Sequence, residues 1–353
     1  MLNEILRAGC HGEEGMNFRS DNTASAAPEM ITALTAVNDR SAAAYGEDEW
    51  SRRLNVVFSE TFERDVRVFT VASGTAANAI SLASLTPPWG SILCHREAHI
   101  ECDECGAPEF FSGGAKLVLM DGPSAKVTPG ALREAIGRNA RGIHSVTPSA
   151  LSISQTTERG AIYAPAEVAA LAEIAHSAGL GVHMDGARFA NAIAALGCSP
   201  ADVTWRAGVD VLSFGATKNG ALAAEAIVLF DLKRAEEIAR RRKRSGHLLC
   251  KGRYPAAQLL AYLEDGRWLA WAGRANVLAR RLGEAAAWCL SAPVETNQVF
   301  IAPGADGLTK LRAAGVEFYD WGGEDSGEAR LVVSWNQDEA EVAALAELLG
   351  ALG

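Results

Sequence analysis

Short apolar runs bounded by glycine or polar residues alternate with longer amphipathic stretches along most of the chain. Val66–Val71, Ser91–Cys94, Leu151–Thr156, Leu180–Met184, Val209–Gly215 and Ala226–Phe230 have the length and composition of buried strands. Between them, apolar residues recur at helical spacing from Pro28 to Val37, Pro165 to Ala178, Arg188 to Leu196 and Leu232 to Arg244, and Gly197 supplies a stop signal. A strand, a crossover helix and a second strand form a right-handed parallel unit, so the carboxyl ends of the strands gather at one edge of a sheet. Ligands of open α/β folds bind at that edge. Further on, helices fill Ala256 to Leu290, Val294–Ala302 and Ala329–Ser334 read as strands, and Gln337–Leu352 reads as a closing helix, the pattern of a smaller α+β unit.

Chemistry collects at the predicted edge. Asp185 closes the strand Leu180–Met184, and Lys218 lies just past Val209–Gly215. Val66–Val71 runs into Ser73-Gly74-Thr75, which turns directly into a helix, so free amides, two hydroxyls and a glycine that permits close approach make a phosphate cup. Taken singly, the serine and threonine are helix caps and the aspartate and lysine are surface charges. Together they suit pyridoxal 5'-phosphate, with the lysine carrying the cofactor covalently and the carboxylate keeping the pyridine nitrogen protonated.

Composition narrows the alternatives. With 353 residues and a net charge of −10, the chain can bury a large core, and nucleic acid or an anionic membrane is not expected as its main partner. The run Arg240–Arg244 sits on the last turns of a predicted helix, where the dipole favours cations and a solvated face explains it. No apolar run approaches the ~18 residues of a membrane span, and the N-terminus lacks the pattern of a secretory leader, so a cytoplasmic residence is expected. Seven scattered cysteines fit a reducing compartment. Cys94, His95, His99, Cys102 and Cys105 have zinc-compatible spacing, but no second pair accompanies them and no metal site is expected.

Several motifs extend the reading. His183–Ala192 (HMDGARFANA) with the Lys218 segment, Met16–Thr23 (MNFRSDNT), Tyr45–Asp48 (YGED) and Ala98–Ile100 (AHI) resemble the L-threonine aldolase branch of the fold-type I pyridoxal phosphate enzymes. The resemblance runs from about Met16 to near the C-terminus, closest to the low-specificity threonine aldolase and phenylserine aldolase group. It implies an aspartate-aminotransferase-like α/β fold, with a mixed, mostly parallel sheet in a large domain over residues 16–250 and a smaller α+β domain over 251–353. Residues 1–15, which precede the first family-like motif, are expected to be a disordered extension.

The resemblance also implies roles. Ser73, Gly74 and Thr75 hold phosphate, His99 stacks on the pyridine ring, and Asp185 and Lys218 act as described. His144 lies near the substrate hydroxyl, and Ser20, Arg188 and Arg330 (in an RLV motif) hold the α-carboxylate. Arg253 reaches the phosphate of a neighbouring subunit and the YGED loop sits at that interface, so a homo-oligomer, dimer or tetramer, is expected. The implied reaction cleaves L-3-hydroxy-α-amino acids (threonine, allo-threonine, phenylserine) to glycine and an aldehyde, with His99, His144 or a water as the base. A β-eliminating lyase or an aminotransferase is the alternative. Relatives carry an ENTHN-like motif where this chain has Ser154–Glu158 (SQTTE). With Phe110 and Phe111 close to His99 in sequence, that departure predicts an aromatic pocket for a phenyl-bearing substrate.

Overall fold

The computed structural model describes residues 15–138, 142–323 and 326–353, so the expected N-terminal extension lies, but for Gly15, outside the described residues. In chain order the strands are β1 (Met16–Asn17), β2 (Arg67–Val71), β3 (Gly90–His95), β4 (Lys116–Met120), β5 (Thr147–Ser154), β6 (Gly181–Gly186), β7 (Val211–Gly215), β8 (Glu225–Leu229), β9 (Gln298–Ile301), β10 (Val316–Glu317), β11 (Tyr319–Trp321) and β12 (Glu328–Val332). Seven form one sheet in the order β2-β8-β7-β6-β5-β3-β4, parallel throughout except for β8, which runs antiparallel to both neighbours. This is the mixed, mostly parallel sheet that the sequence predicts. The edge strand β4 was not expected from the pattern of apolar runs.

The apolar runs are continuous because both faces of this sheet are covered. Successive residues of β7 and β8 point alternately into two cores: Leu212, Phe214, Ala226 and Val228 join Phe58, Phe62, Phe189 and Trp268, while Val211, Ile227 and Leu229 meet Ile80, Leu82 and Ile92 on the other face. A third core unites the antiparallel sheet β11-β12-β9 with the helices Arg267–Ala285 and Glu339–Leu352. Phe18 is buried in this third core, and β1 pairs in parallel with β10, so the start of the described chain is built into the smaller layer before it enters the large sheet. That route carries Ser20 and Asp21 to the sheet edge.

One edge of the large sheet collects the chemistry. The chain leaves β2 into Ser73, β3 toward His99, β5 at Ser154, β6 at Asp185 and β7 into the turn Thr217–Asn219, all on the carboxyl side. Because β8 is antiparallel, its first residue, Glu225, arrives at the same edge opposite Gly215.

Candidate active site

Asp185 and Lys218 stand at the ends of adjacent parallel strands, β6 and β7. The Asp185 carboxylate is buried and held at both oxygens: Ala187 N–H donates to Oδ1 at 2.9 Å, and the Asn78 amide donates to Oδ2 at 2.8 Å. Burial alone pushes its pKa up, but the His99 ring, the Ala187 N–H, His183 and Asn78 together outweigh that and hold it below the usual carboxylate value. Beneath it His183 is fully buried between two hydroxyls, Ser152 Oγ on Nδ1 and Ser213 Oγ on Nε2, each at 2.9 Å. Burial depresses the His183 pKa to about 4, so the ring is neutral at pH 7.

Lys218 sits on a tight turn whose amides are gripped from behind. Glu225 accepts from Ala216 N–H at 3.2 Å and Thr217 N–H at 3.3 Å. Burial and, next, Arg188 lower the Lys218 pKa, against the opposing pull of Asp21, Asp185 and Glu225. An amine favoured toward its neutral form is suited to nucleophilic attack on a carbonyl. Burial raises the Glu225 carboxyl to about 7.

The helix Gly74–Leu85 starts at the same edge. Ser73 caps it through Ala76 N–H at 3.2 Å, and Ala77 N–H bonds to the Ser73 carbonyl. The amides of Gly74 and Thr75 precede the first intrahelical bonds and point outward from the positive end of the helix. An added Cβ at Gly74 would meet nothing within 4 Å, so this face of the cup is open. The structure therefore brings Ser73, Gly74 and Thr75 to the edge where Asp185 and Lys218 lie.

His99 is half-exposed, and its Nδ1 contacts Glu104 Oε1 at 2.8 Å. The same Glu104 oxygen accepts the second hydrogen of the Asn78 amide at 2.8 Å. Glu158 holds the His99 backbone N–H at 2.9 Å and the Ser154 hydroxyl at 2.7 Å, and burial raises its carboxyl to about 7. No individual role at the site was assigned from the sequence to Asn78, Glu104, Glu158 or Glu225.

The predicted carboxylate-binding set is present in altered form. Arg188 is locked side-on to Asp21, with Nε at 2.7 Å and Nη2 at 3.0 Å from the two carboxylate oxygens, and Asn297 supports Asp21 at 3.2 Å. Asp21, unassigned from sequence, thus fixes one edge of the guanidinium and leaves Nη1 for a ligand. Ser20 is nearly buried, and its hydroxyl caps the turn Asp21–Thr23 by accepting from Asn22 N–H at 3.2 Å. Arg330 reaches in from β12 over Tyr319 and Trp321, and its buried Nε has no hydrogen-bond partner. Burial, and then Arg188, lower its pKa to about 10, so it remains a cation.

Two expectations need correction. His144 is exposed on the turn Gly142–His144, which enters β5 at its amino end. The eight residues of β5, at ~3.3 Å each, put it roughly 25 Å from the edge that holds Lys218. Within one subunit it therefore stands away from the Lys218 edge. Phe110 and Phe111 do not approach a substrate either: with Ile80, Pro88, Arg240 and Arg244 they line a groove of about 1030 Å³ against the helix Ala235–Arg244, and Phe110 is 80% exposed. Arg253, expected at a neighbouring subunit's phosphate, donates through Nε to the Val37 carbonyl of its own chain at 3.0 Å. Among the described residues no three His, Cys, Asp or Glu side chains converge as a metal site, and no helix is long and apolar enough to cross a membrane.

An open, mostly parallel sheet carrying a lysine and a carboxylate on adjacent strand tips, a phosphate cup beside them and a smaller α+β layer above defines an α/β enzyme of the aspartate-aminotransferase-like class. A beta-eliminating lyase family model matches residues 17–304. A low-specificity L-threonine aldolase from a Pseudomonas species is 43% identical over 95% of this chain and 97% of its own length, and one from Pseudomonas aeruginosa is 43% identical over 93% and 95%. A solved Leishmania major threonine aldolase superposes with a TM-score of 0.89 at 26% identity, covering 95% of this chain and 99% of the other. The chain belongs to the beta-eliminating lyase family, and the relatives it matches over nearly its whole length are low-specificity L-threonine aldolases.

Proposed function

We propose that this protein is a pyridoxal phosphate-dependent carbon–carbon lyase that cleaves L-3-hydroxy-α-amino acids, among them threonine, allo-threonine and phenylserine, to glycine and an aldehyde. The observation that carries the reading is the placement of Lys218 and the ionised Asp185 on one sheet edge, beside the open amides of Gly74 and Thr75, with Arg330, whose buried Nε has no partner, reaching in from the small sheet. The residues fit the cofactor. Asp185, already satisfied by two N–H donors, keeps lone pairs for a pyridinium N–H, and Ser73, Gly74 and Thr75 suit the phosphate. When bound, the cofactor supplies an electron sink for the pair released as the Cα–Cβ bond breaks.

The protein supplies orientation and charge. Arg330 and the free edge of Arg188 hold the substrate carboxylate by charge-assisted bonds, with Ser20 close by in sequence to Asp21. Asp185 stays ionised within its shell of donors, and His99 lies over the site on the turn after β3. Lys218, whose lowered pKa favours the neutral amine, would hold the cofactor covalently.

The same reading extends to assembly. The loop Ala44–Glu47 packs against residues 250–252 through Tyr45 N–H and the Cys250 carbonyl, at 2.9 Å, and Arg253 follows directly. This shared surface is the part of the chain we assign to a neighbouring subunit's phosphate, in a cytoplasmic homo-oligomer. The family model's description favours β-elimination as a second reading.

Incubation with threonine separates the two reactions: glycine plus aldehyde supports the aldolase, ammonia plus a keto acid the eliminating lyase. The purified protein should carry a visible absorption band, and borohydride should fix the cofactor to Lys218. Lys218→Ala should lose both the band and turnover; full activity in that variant would end the proposal.

A further inference from the structure

We propose that Glu104, bridged to Asp185 by the Asn78 amide, is a positioning residue that accepts from Nδ1–H of His99 and so fixes the ring with its other nitrogen, Nε2, free for the substrate. Only the identity of that substrate rests on the aldolase reading.

The bond directions follow from the donor inventory. One Asn78 amide nitrogen carries two hydrogens, and it lies 2.8 Å from both Asp185 Oδ2 and Glu104 Oε1. Both oxygens are therefore acceptors. Glu104 Oε1 also lies 2.8 Å from His99 Nδ1. An oxygen that already accepts from Asn78 is unsuited to carry the proton of this contact, which places it on Nδ1. The ring is 39% exposed, whereas the Glu104 side chain is fully enclosed. A positive charge on the imidazole is thus partly solvated, and it also compensates a carboxylate that would otherwise be buried without a counter-charge.

The charged groups around His99 come from four elements. Glu104 lies on its own loop, Glu158 follows β5 and holds its backbone N–H, Asp185 ends β6, and Lys218 follows β7. The Glu104 bond is the largest influence and raises the His99 pKa; burial opposes it, Asp185 and the Glu104 charge add to it, and Lys218 subtracts. For Glu104 itself the carboxyl ends above its ordinary value: burial pushes it up most and Asp185 adds to that, while the bonds from His99 and Asn78 pull it down. We place the shared proton on His99, because the geometry leaves Oε1 only an acceptor's role. Asn78 makes the arrangement a unit: the amide that keeps Asp185 ionised also keeps Glu104 turned toward His99.

The test is a histidine NMR titration of the full chain, without and with cofactor, with the His99 signal identified by its loss in His99→Asn. In the wild type His99 should titrate above the ordinary value of about 6.5. In Glu104→Gln it should fall by roughly one to three pH units, and Glu104→Asp should restore part of the elevation. The limb of kcat/KM that reports His99 should move to lower pH in Glu104→Gln by the same amount. A wild-type His99 that titrates at or below about 6.5, or an unchanged His99 in Glu104→Gln, overturns the proposal. If Glu104→Gln does not fold, the wild-type value together with Glu104→Asp decides it. The titration of the cofactor-free protein does not depend on the reaction catalysed, so a protein that forms no glycine defeats the aldolase reading while leaving this result to stand or fall alone.

Discussion

Half-buried Arg330 and fully buried His183 are both nitrogen bases, yet one stays charged and the other neutral. Arg330 has aromatic rings around it, no acid paired with it among the described residues, and a buried Nε without a partner. A cation in that state is stabilised by an incoming carboxylate, so Arg330→Ala should raise KM for threonine roughly 10- to 100-fold, the equivalent of ~1.5–3 kcal/mol, with a smaller effect on kcat. An unchanged KM would remove it from substrate binding. His183 is instead satisfied as a neutral ring by two hydroxyls, with a folded pKa of about 4. Because this pKa is depressed below the unfolded value of about 6.5, the unfolded chain binds the extra proton first. The resulting stability is fully present above pH ~6.5 and is lost as pH falls through about 4, a term of ~3 kcal/mol. Urea unfolding at pH 7, 5.5 and 4 should show the wild type losing most of its advantage over His183→Gln, and a constant difference would contradict the assignment. Asp185 and Lys218 were legible in the sequence because each follows a run that can only be a strand. Asn78, Glu104 and Glu225 were not, since each matters through a partner on another element: Asn78 lies inside a helix and touches Asp185 only after packing.

The helices and strands that build the site were mostly readable, because period-2 and period-3.6 apolar patterns and the glycines between them are local signals. Which end of a strand a residue occupies is a different matter. His144 lies beside a correctly expected strand but at its amino end, across the sheet from the chemistry. Glu225 reached the site because β8 runs antiparallel, which no local pattern announces. Phe110 and Phe111 lie on the short helix Ala107–Ser112, whose aromatic side faces the helix Ala235–Arg244 rather than the cofactor edge. Where the elements meet, spacing is strict. An added Cβ on Gly215 would lie 2.6 Å from the Ala187 carbonyl oxygen and 2.8 Å from its Cα, all backbone that cannot swing aside. Gly215→Ala should therefore part the tip of β7 from the Asp185–Ala187 turn, costing ~1–3 kcal/mol of stability and weakening cofactor retention. Gly137, whose Cβ would meet nothing within 4 Å on an exposed helix face, is the control: Gly137→Ala should be neutral or slightly stabilising. Equal cofactor affinity in Gly215→Ala and the wild type would show that the close approach is not needed.

At the scale of the molecule, the site depends on two layers keeping their relative position, because Arg188 belongs to the large sheet and Arg330 to the small one. Sequence patterns gave both layers but not the contacts between them. Arg159 is one such contact. Its Nε lies 3.0 Å from Glu97 on the large-sheet side and its Nη1 2.6 Å from Glu328 in β12, while the guanidinium packs over Phe300 and Trp321. Glu328 is two residues from Arg330 in the same strand, and Glu158, next to Arg159, holds the His99 backbone. A side chain placed this way has little to add to global stability, since a partly exposed ion pair contributes ~0–1 kcal/mol. It should matter more for the spacing of the two carboxylate-binding arginines, where a misplacement of about 1 Å is expensive. Arg159→Ala should leave the thermal midpoint nearly unchanged and retain the cofactor band, yet raise KM for the amino acid by about tenfold. Arg159→Lys, which keeps the charge but cannot bridge two carboxylates with a planar fork, should fall between. Steady-state kinetics beside a thermal melt distinguishes the outcomes: a large drop in midpoint with proportionate loss of all activity would make Arg159 a structural brace, and an unchanged KM would mean the two layers hold their spacing without it.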